Sequence, residues 1–348
     1  MKTDIVRQPF LLALFSLLLP LAVSLGGAAG AEPVVRHVPL GDLLLAFQGR
    51  FPVWAAVAAG VLALAAAVRA GRLSVRYGFY PVPTALVVPL YGVVACGILA
   101  GPNYLPEFVA SYVLLLSLHH FCAGFRNGYA VGSFFRGAFC LGLLPLLYAP
   151  ALPLPLLLLP AAVCLRRTLR ETFVALCGAL FPLAGACYVN WALGAEFFGL
   201  LRQLLDAFLA PGGFRLFGQG TVLVPVVLGV ALFTVICAVA AGAAGLRTQS
   251  RKARGMLTYV MVLLGAVALL GAVPSVTAGI FPLAAVPAAL LMPLALVRVR
   301  REWAAVLYLI LYMSAFVNIV VYSFAILLGL ATMSLPSFSG NYICTIKF

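Results

Sequence analysis

The side chains that could do chemistry in this chain of 348 residues are a few acids and histidines set in a very apolar sequence. Five acids flank apolar runs on the side of a membrane that the charge pattern predicts to be the outside: Glu32, Asp42, Glu107, Glu196 and Asp206. A carboxylate at the boundary between water and membrane can act as a general base or bind a divalent cation. Asp42 and Glu32 are the preferred catalytic candidates because segment 32–50 mixes polar and apolar residues and is predicted to lie along the outer membrane surface. The alternative is that each acid is a solvated loop charge.

Three polar residues are predicted to lie inside membrane spans: His119, His120 and Asn190. An ionisable residue within a bilayer suggests a functional role, and the alternative is a neutral histidine packed on neighbouring helices. Adjacent residues of a helix point about 100° apart, so the two histidines cannot easily share one metal ion. Asn190 can donate a hydrogen bond across a helix interface. No metal site is predicted.

Motifs for nucleotide binding, for a nucleophilic serine and for a zinc protease are missing from the sequence. The lack of a nucleotide-binding motif argues against an ATP-driven pump within this chain. The eight cysteines show no C-x-x-C spacing, which favours small packing residues over metal ligands or disulfides. The sequence leaves the identity of any cofactor unknown.

The composition of the chain indicates the class of fold that carries these residues. Hydrophobic residues make up 65% of the chain and charged residues 9%, against roughly a quarter charged in soluble domains. The mean hydropathy is +1.16, which predicts an all-α, polytopic membrane protein. The net charge of +14 is explained by basic cytoplasmic loops, since no basic face interleaved with aromatic residues suggests nucleic-acid binding.

The apolar runs predict about eleven transmembrane helices in a single domain over 1–348, with the N-terminus in the cytoplasm. Seventeen of the 22 basic residues, but three of the eight acids, then fall on the inner side. Segments 32–50 and 194–213 are predicted interfacial helices on the outer side. The first helix also resembles a cleavable signal peptide, but its apolar run is longer than the usual 7–15 residues of such signals, which favours a retained helix.

A central hairpin over 138–165 is predicted between two arginine clusters. Prolines interrupt its apolar run, which favours two short helices with a turn near Tyr148 to Pro153. Three arginines follow it at the predicted inner boundary: Arg166, Arg167 and Arg170. These side chains could bind lipid phosphate, although topology alone also explains them.

The stretch from Leu118 to Leu183 carries a recognisable order of features. These are Gly142, Leu147-Tyr148, Arg166-Arg167, Arg170-Glu171, Gly178 and Pro182. The stretch resembles a family of uncharacterised polytopic inner-membrane proteins of Gram-negative bacteria. That resemblance implies a location in the bacterial inner membrane and implies no activity.

The topology also resembles the C-type superfamily of glycosyltransferases, which use polyprenyl-phosphate-linked sugars. In both, a first helix is followed by an outer segment with acids and then by many spans. The resemblance implies that Glu32 or Asp42 is catalytic and that a polyprenyl-phosphate carrier is a partner. The chain departs from that pattern in lacking a paired acidic motif and a large outer domain.

The resulting hypothesis is a protein of envelope glycoconjugate or lipid-carrier metabolism, with or without enzymatic activity. A transporter or flippase without chemistry is the first alternative, because the proline-broken hairpin could form a path. A structural subunit of an envelope complex is the second alternative, since it requires none of the polar residues.

Overall fold

The computed structural model describes residues 10–14, 16–18, 38–98, 105–124, 130–210, 223–245, 251–277 and 279–327. Within these ranges every regular element is helical, which confirms the predicted all-α class for this part of the chain. Glu32 and most of the first predicted helix lie outside the described residues.

In chain order the helices are α1 Pro39–Arg50, α2 Pro52–Arg76, α3 Val87–Gly92, α4 Leu105–Gly124, α5 Val131–Leu147, α6 Leu158–Cys164, α7 Leu169–Ala192, α8 Gly199–Leu209, α9 Val224–Gly245, α10 Arg251–Leu270, α11 Ile280–Arg298 and α12 Arg301–Leu327. Seven of them are long and apolar enough to cross a membrane, namely α2, α4, α7, α9, α10, α11 and α12. Three further apolar segments are shorter: Val87–Gly97, Val131–Leu147 and Ala149–Cys164. The membrane-protein prediction therefore agrees with the structure, while the count of eleven spans and the orientation stay predictions.

Helix α11 is the centre of the bundle. It contacts α2, α3, α4, α9, α10 and α12, and 83% of its most apolar window is buried. A helix that is apolar on all sides is stable only where protein or lipid surrounds it completely. Tyr80 and Ser111 donate hydrogen bonds to its backbone at Leu290 O and Pro282 O, at 2.7 and 2.6 Å.

Residues 87–97 do not form one ordinary α-helix. Helix α3 continues into a π-helical turn, Val93–Gly97, and all of its residues are buried. The Asn318 amide of α12 donates to Gly97 O and Ile98 O at 2.9 and 3.0 Å. Irregular backbone is tolerated at membrane depth where protein buries it and supplies partners, which explains this departure.

Helix α5, the first helix of the central hairpin, packs closely against α7, the helix that follows the hairpin. A Cβ atom added at Gly142 would overlap the backbone of Ala179, and one added at Gly178 would meet Phe135. Small residues of this kind let two membrane helices approach closely. After α5 the chain reverses through two 3₁₀ turns, Ala149–Ala151 and Leu154–Leu157.

Two shorter helices cover one end of the bundle. Helix α1 packs on α2, α4 and α5, while α8 packs on α7 and on the first 3₁₀ turn of the hairpin. Helix α8 buries Leu200, Leu204 and Ala207 in a small cluster with the hairpin tip. Whether α1 and α8 lie along the membrane surface stays a prediction.

Candidate functional site

Glu107, Thr277 and Tyr148 form a connected polar group, here called the carboxylate site. The Thr277 hydroxyl donates to Glu107 Oε1 at 3.2 Å and lies 3.1 Å from the Tyr148 hydroxyl. The Tyr148 hydroxyl also accepts the Thr277 N–H at 3.1 Å. Glu107 is only 7% exposed and Tyr148 6%, so the carboxylate lies beneath the surface, among hydrogen-bonding groups.

Three elements bring these residues together. Glu107 lies in the first turn of α4, Tyr148 at the tip of the hairpin, and Thr277 in the loop between α10 and α11. A Cβ atom at Gly279 would overlap the Glu107 carboxyl group, so glycine at this position lets the loop pack against it. We call this end of the bundle the carboxylate end.

An apolar cavity of about 400 Å³, here called the lateral cleft, lies between α9 and α10 with α11 as its floor. Its residues from these helices are all apolar, and Leu232 and Ala268 on its rim are exposed. Val276 lines the cleft and immediately precedes Thr277. The neighbouring Ser275 is fully buried, and its hydroxyl has no hydrogen-bond partner among the described residues.

The cleft closes towards the other end of the bundle. There a Cβ atom at Gly242 of α9 would overlap the Met261 side chain of α10. The Met261 side chain of α10 therefore reaches Gly242 of α9 at one level of the bundle, while the cleft separates the two helices at another. At its other end the cleft includes Val276, the residue that precedes Thr277 of the carboxylate site.

Asp42 serves the backbone of its own helix. Its Oδ2 accepts the Val38 N–H at 3.1 Å, which stabilises the start of α1. Gln48 of the same helix accepts the Leu105 N–H at 3.0 Å, at the start of α4. Gly41 packs against the Leu147 carbonyl. Helix α1 thus supports the two elements that carry Glu107 and Tyr148.

A second cavity, here called the basic pocket, lies between the end of α6 and the start of α10 and has a volume of about 600 Å³. It is lined by Cys164, Arg166, Arg251, Lys252, Arg254, Gly255 and Thr258. Of the three predicted phosphate-binding arginines, only Arg166 lines it. We call this end of the bundle the basic end.

Arg167 and Arg170 have different surroundings. The Arg167 guanidinium is nearly buried, donates to Gly124 O at 2.6 Å and lies 3.5 Å from Glu171. Glu171 also accepts the Ala130 N–H at 3.0 Å and forms a capping box with Thr168. This pair joins three segments of the basic end, while Arg170 is exposed beside it.

The predicted intramembrane residues are not gathered into one site. His119 and His120 are half-buried on α4, with ring centroids 5.7 Å apart. The Asn190 amide, near the end of α7, donates to Glu196 O in the following turn at 3.0 Å, which is a local bond. In the described part of the chain, no group of three His, Cys, Asp or Glu residues could hold a metal ion.

The sequence alone did not single out the carboxylate site. Glu107 was one of five outer acids, and nothing in the sequence paired it with Tyr148 or Thr277, which lie far along the chain. A tyrosine at the turn of an otherwise apolar hairpin is the one signal that could have pointed to it, because a buried hydroxyl needs a partner.

Comparisons of the chain with models of protein families, with curated proteins and with solved structures give no match. The two family resemblances of the sequence therefore stay hypotheses. Any function has to be argued from the carboxylate site, the lateral cleft and the basic pocket.

Proposed function

We propose that this protein handles a glycosylated lipid carrier, taking the lipid chain into the lateral cleft and the sugar to the carboxylate site. The observation that carries the proposal is the position of Val276. It lines the apolar cleft, and the next residue is Thr277, whose hydroxyl bonds to Glu107. An amphipathic molecule with an apolar chain and a hydroxylated head matches this change of chemistry.

The apolar part of the ligand follows from the apolar walls of the cleft. Helices α9, α10 and α11 are all candidate membrane spans, so the surrounding medium is hydrocarbon. The ligand is then a membrane lipid, and a polyprenyl-phosphate carrier has the apolar chain that such walls accept. The bilayer itself is the second partner, and the proposed location is the inner membrane of a Gram-negative bacterium.

The head group follows from the buried acid. A carboxylate accepts hydrogen bonds from sugar hydroxyls, and the Tyr148 and Thr277 hydroxyls can orient it. In a glycosyltransferase, Glu107 would take the proton of the acceptor's attacking hydroxyl group. The oxygen of that hydroxyl then bonds to the anomeric carbon of the sugar, and the carrier phosphate leaves. Glu107 therefore replaces Asp42 as the first acid to test, and Asp42 becomes a positioning residue of α1.

A flippase is the second candidate, and one observation favours it. Helix α10 begins at the basic pocket, which suits an anionic group. It ends at the loop that carries Val276 of the lateral cleft and Thr277 of the carboxylate site, which suits a hydroxylated group. A carrier moved across the membrane would meet both. Chemistry at Glu107 is not required in that case.

The experiment compares carrier-linked sugars and envelope glycans by mass spectrometry in a deletion strain. The strain is complemented with the wild type, Glu107→Gln, Asp42→Asn, or Glu196→Gln as the matched surface acid of the same end. We expect the deletion and Glu107→Gln to accumulate the same carrier-linked sugar, while Glu196→Gln restores the wild-type profile. An unchanged profile in the deletion strain contradicts the proposal and favours a structural subunit.

A further inference from the structure

The basic pocket gathers positive charge from two separate segments. Arg166 comes from the turn that follows α6, while Arg251, Lys252 and Arg254 come from the first turn of α10. All four side chains line one cavity of about 600 Å³. A basic loop on the cytoplasmic side explains why arginines and lysines occur here, but it does not require them to surround a shared cavity.

All four basic side chains are exposed, so water screens part of their mutual repulsion, but their clustering still favours a bound anion. Like charges repel, and cations in the first turn of a helix also oppose the helix dipole. The first turn of α10 contains no acid, and within the described ranges no carboxylate forms an ion pair with Arg166, Arg251 or Lys252. A bound anion would offset both effects.

The backbone at Arg166 is held in an uncommon conformation. Its φ is +51°, a left-handed value that is unfavourable for a residue with a side chain. The turn is fixed by the Arg166 and Arg167 N–H groups, which donate to Val163 O and Ala162 O at 3.1 and 2.8 Å. The buried Arg167 guanidinium anchors the same turn to Gly124. The backbone at Arg166 is thus held by the hydrogen bonds of the turn, and its exposed side chain lines the pocket.

We propose that the basic pocket binds a phosphate-bearing anion. Arginine guanidinium groups suit phosphate because they donate pairs of parallel hydrogen bonds, and lysine adds a point charge. The volume falls in the range of sites for small molecules or head groups. The phosphate belongs either to a lipid head group or to a soluble compound. This inference does not depend on the carboxylate site or on the proposed function.

The test uses the purified full chain in nanodiscs, with two arms that separate the sources of phosphate. In the soluble arm, pyrophosphate is titrated into phosphatidylcholine nanodiscs. In the lipid arm, phosphatidic acid is added to the same phosphatidylcholine, and bound lipid is counted by native mass spectrometry. Saturable binding in the lipid arm assigns a head group, and binding in the soluble arm assigns a free phosphate compound.

The variants are Arg166→Asn, which suits a left-handed backbone, and the double change Arg251→Gln with Lys252→Gln. We expect affinity to fall about fivefold for each charge removed. Arg170→Gln is the control, since Arg170 is exposed in the same segment outside the pocket. Saturable binding in neither arm, or an equal loss in the control, overturns the proposal. If one pocket variant does not fold, as judged by its melting curve, the other decides.

Discussion

The Tyr148 hydroxyl lies 3.1 Å from the Thr277 hydroxyl, although 129 residues separate them in the chain. The contact joins the tip of the central hairpin to the loop between α10 and α11. Because Thr277 also donates to Glu107, the tyrosine helps to set the position of the carboxylate.

Replacing Tyr148 by phenylalanine keeps the ring and removes the hydroxyl. The Thr277 N–H then loses its acceptor, and we expect a loss of about 1 kcal/mol in the free energy of unfolding. Turnover of the carrier-linked sugar should fall more strongly than this stability change explains, because Thr277, which donates to Glu107, loses its contact with Tyr148. Thermal unfolding in detergent and the lipid profile measure the two effects. Tyr188→Phe on the exposed surface of α7 is the control, and an equal effect of both variants would contradict this role.

The closeness of α5 and α7 predicts opposite results for two glycines of the same helix. A methyl group at Gly142 would overlap the Ala179 backbone, whereas one at Gly132 meets nothing within 4 Å. Gly142→Ala should therefore destabilise the protein by about 1–3 kcal/mol through overpacking. Gly132→Ala should be neutral or slightly stabilising, because alanine favours the helix. Melting temperatures of the two variants check this, and equal values would argue against the close crossing.

The ion pair of Glu171 with Arg167 should contribute far more to stability than the pair of Glu196 with Arg202. The first pair is nearly buried, and its carboxylate also accepts two backbone N–H groups, from Ala130 and Thr168. Glu171→Ala leaves a buried charge without its partner and should cost about 3–5 kcal/mol.

The second pair has side chains 74% and 77% exposed, so Glu196→Ala should change stability by less than about 1 kcal/mol. Chemical unfolding of both variants measures the difference. Similar losses from Glu171→Ala and Glu196→Ala would show that Glu171 does not hold the basic end together.

Asn318 should matter for the π-helical turn, whereas Asn190 should not. Asn318→Leu removes both amide bonds to Gly97 O and Ile98 O, and we expect a loss of about 0.6–1.7 kcal/mol in stability. Asn190→Leu removes one local bond to Glu196 O and should have a smaller effect. Hydrogen exchange of residues 93–98 reports the local change. Unaltered protection in Asn318→Leu would contradict it.

The sequence predicted the helices well where apolar runs were long. A run such as that of α9 is too apolar for a water-exposed segment, and within a membrane it must satisfy its backbone hydrogen bonds as a helix. The sequence could not predict that residues 93–97 form a π-helical turn, because a partner of that turn's carbonyl groups is Asn318, more than 200 residues away. It also could not separate Arg166 from Arg167. The two residues are adjacent and chemically identical, and only packing decides that one lines a pocket while the other bonds to Gly124 and Glu171.

The candidate acids show the same limit. Asp42 was a reasonable choice because its segment is amphipathic, but from sequence its carboxylate could not be assigned to the Val38 N–H. Glu107 gains interest only from Tyr148, Thr277 and the lateral cleft, and Thr277 lies 170 residues from Glu107 in the chain. Contacts of this range depend on tertiary packing, and no local pattern encodes them.

The most direct test of lipid binding in the lateral cleft is photo-crosslinking with a glycosylated isoprenoid phosphate that carries a diazirine on its chain. Helix α9 provides an internal comparison, since Leu228 and Ala231 line the cleft while Val226 and Phe233 are exposed on its outer surface. We expect mass spectrometry to place the crosslinks at Leu228 and Ala231, with competition by unlabelled carrier. Equal labelling of Val226 and Phe233, without competition, would contradict the account.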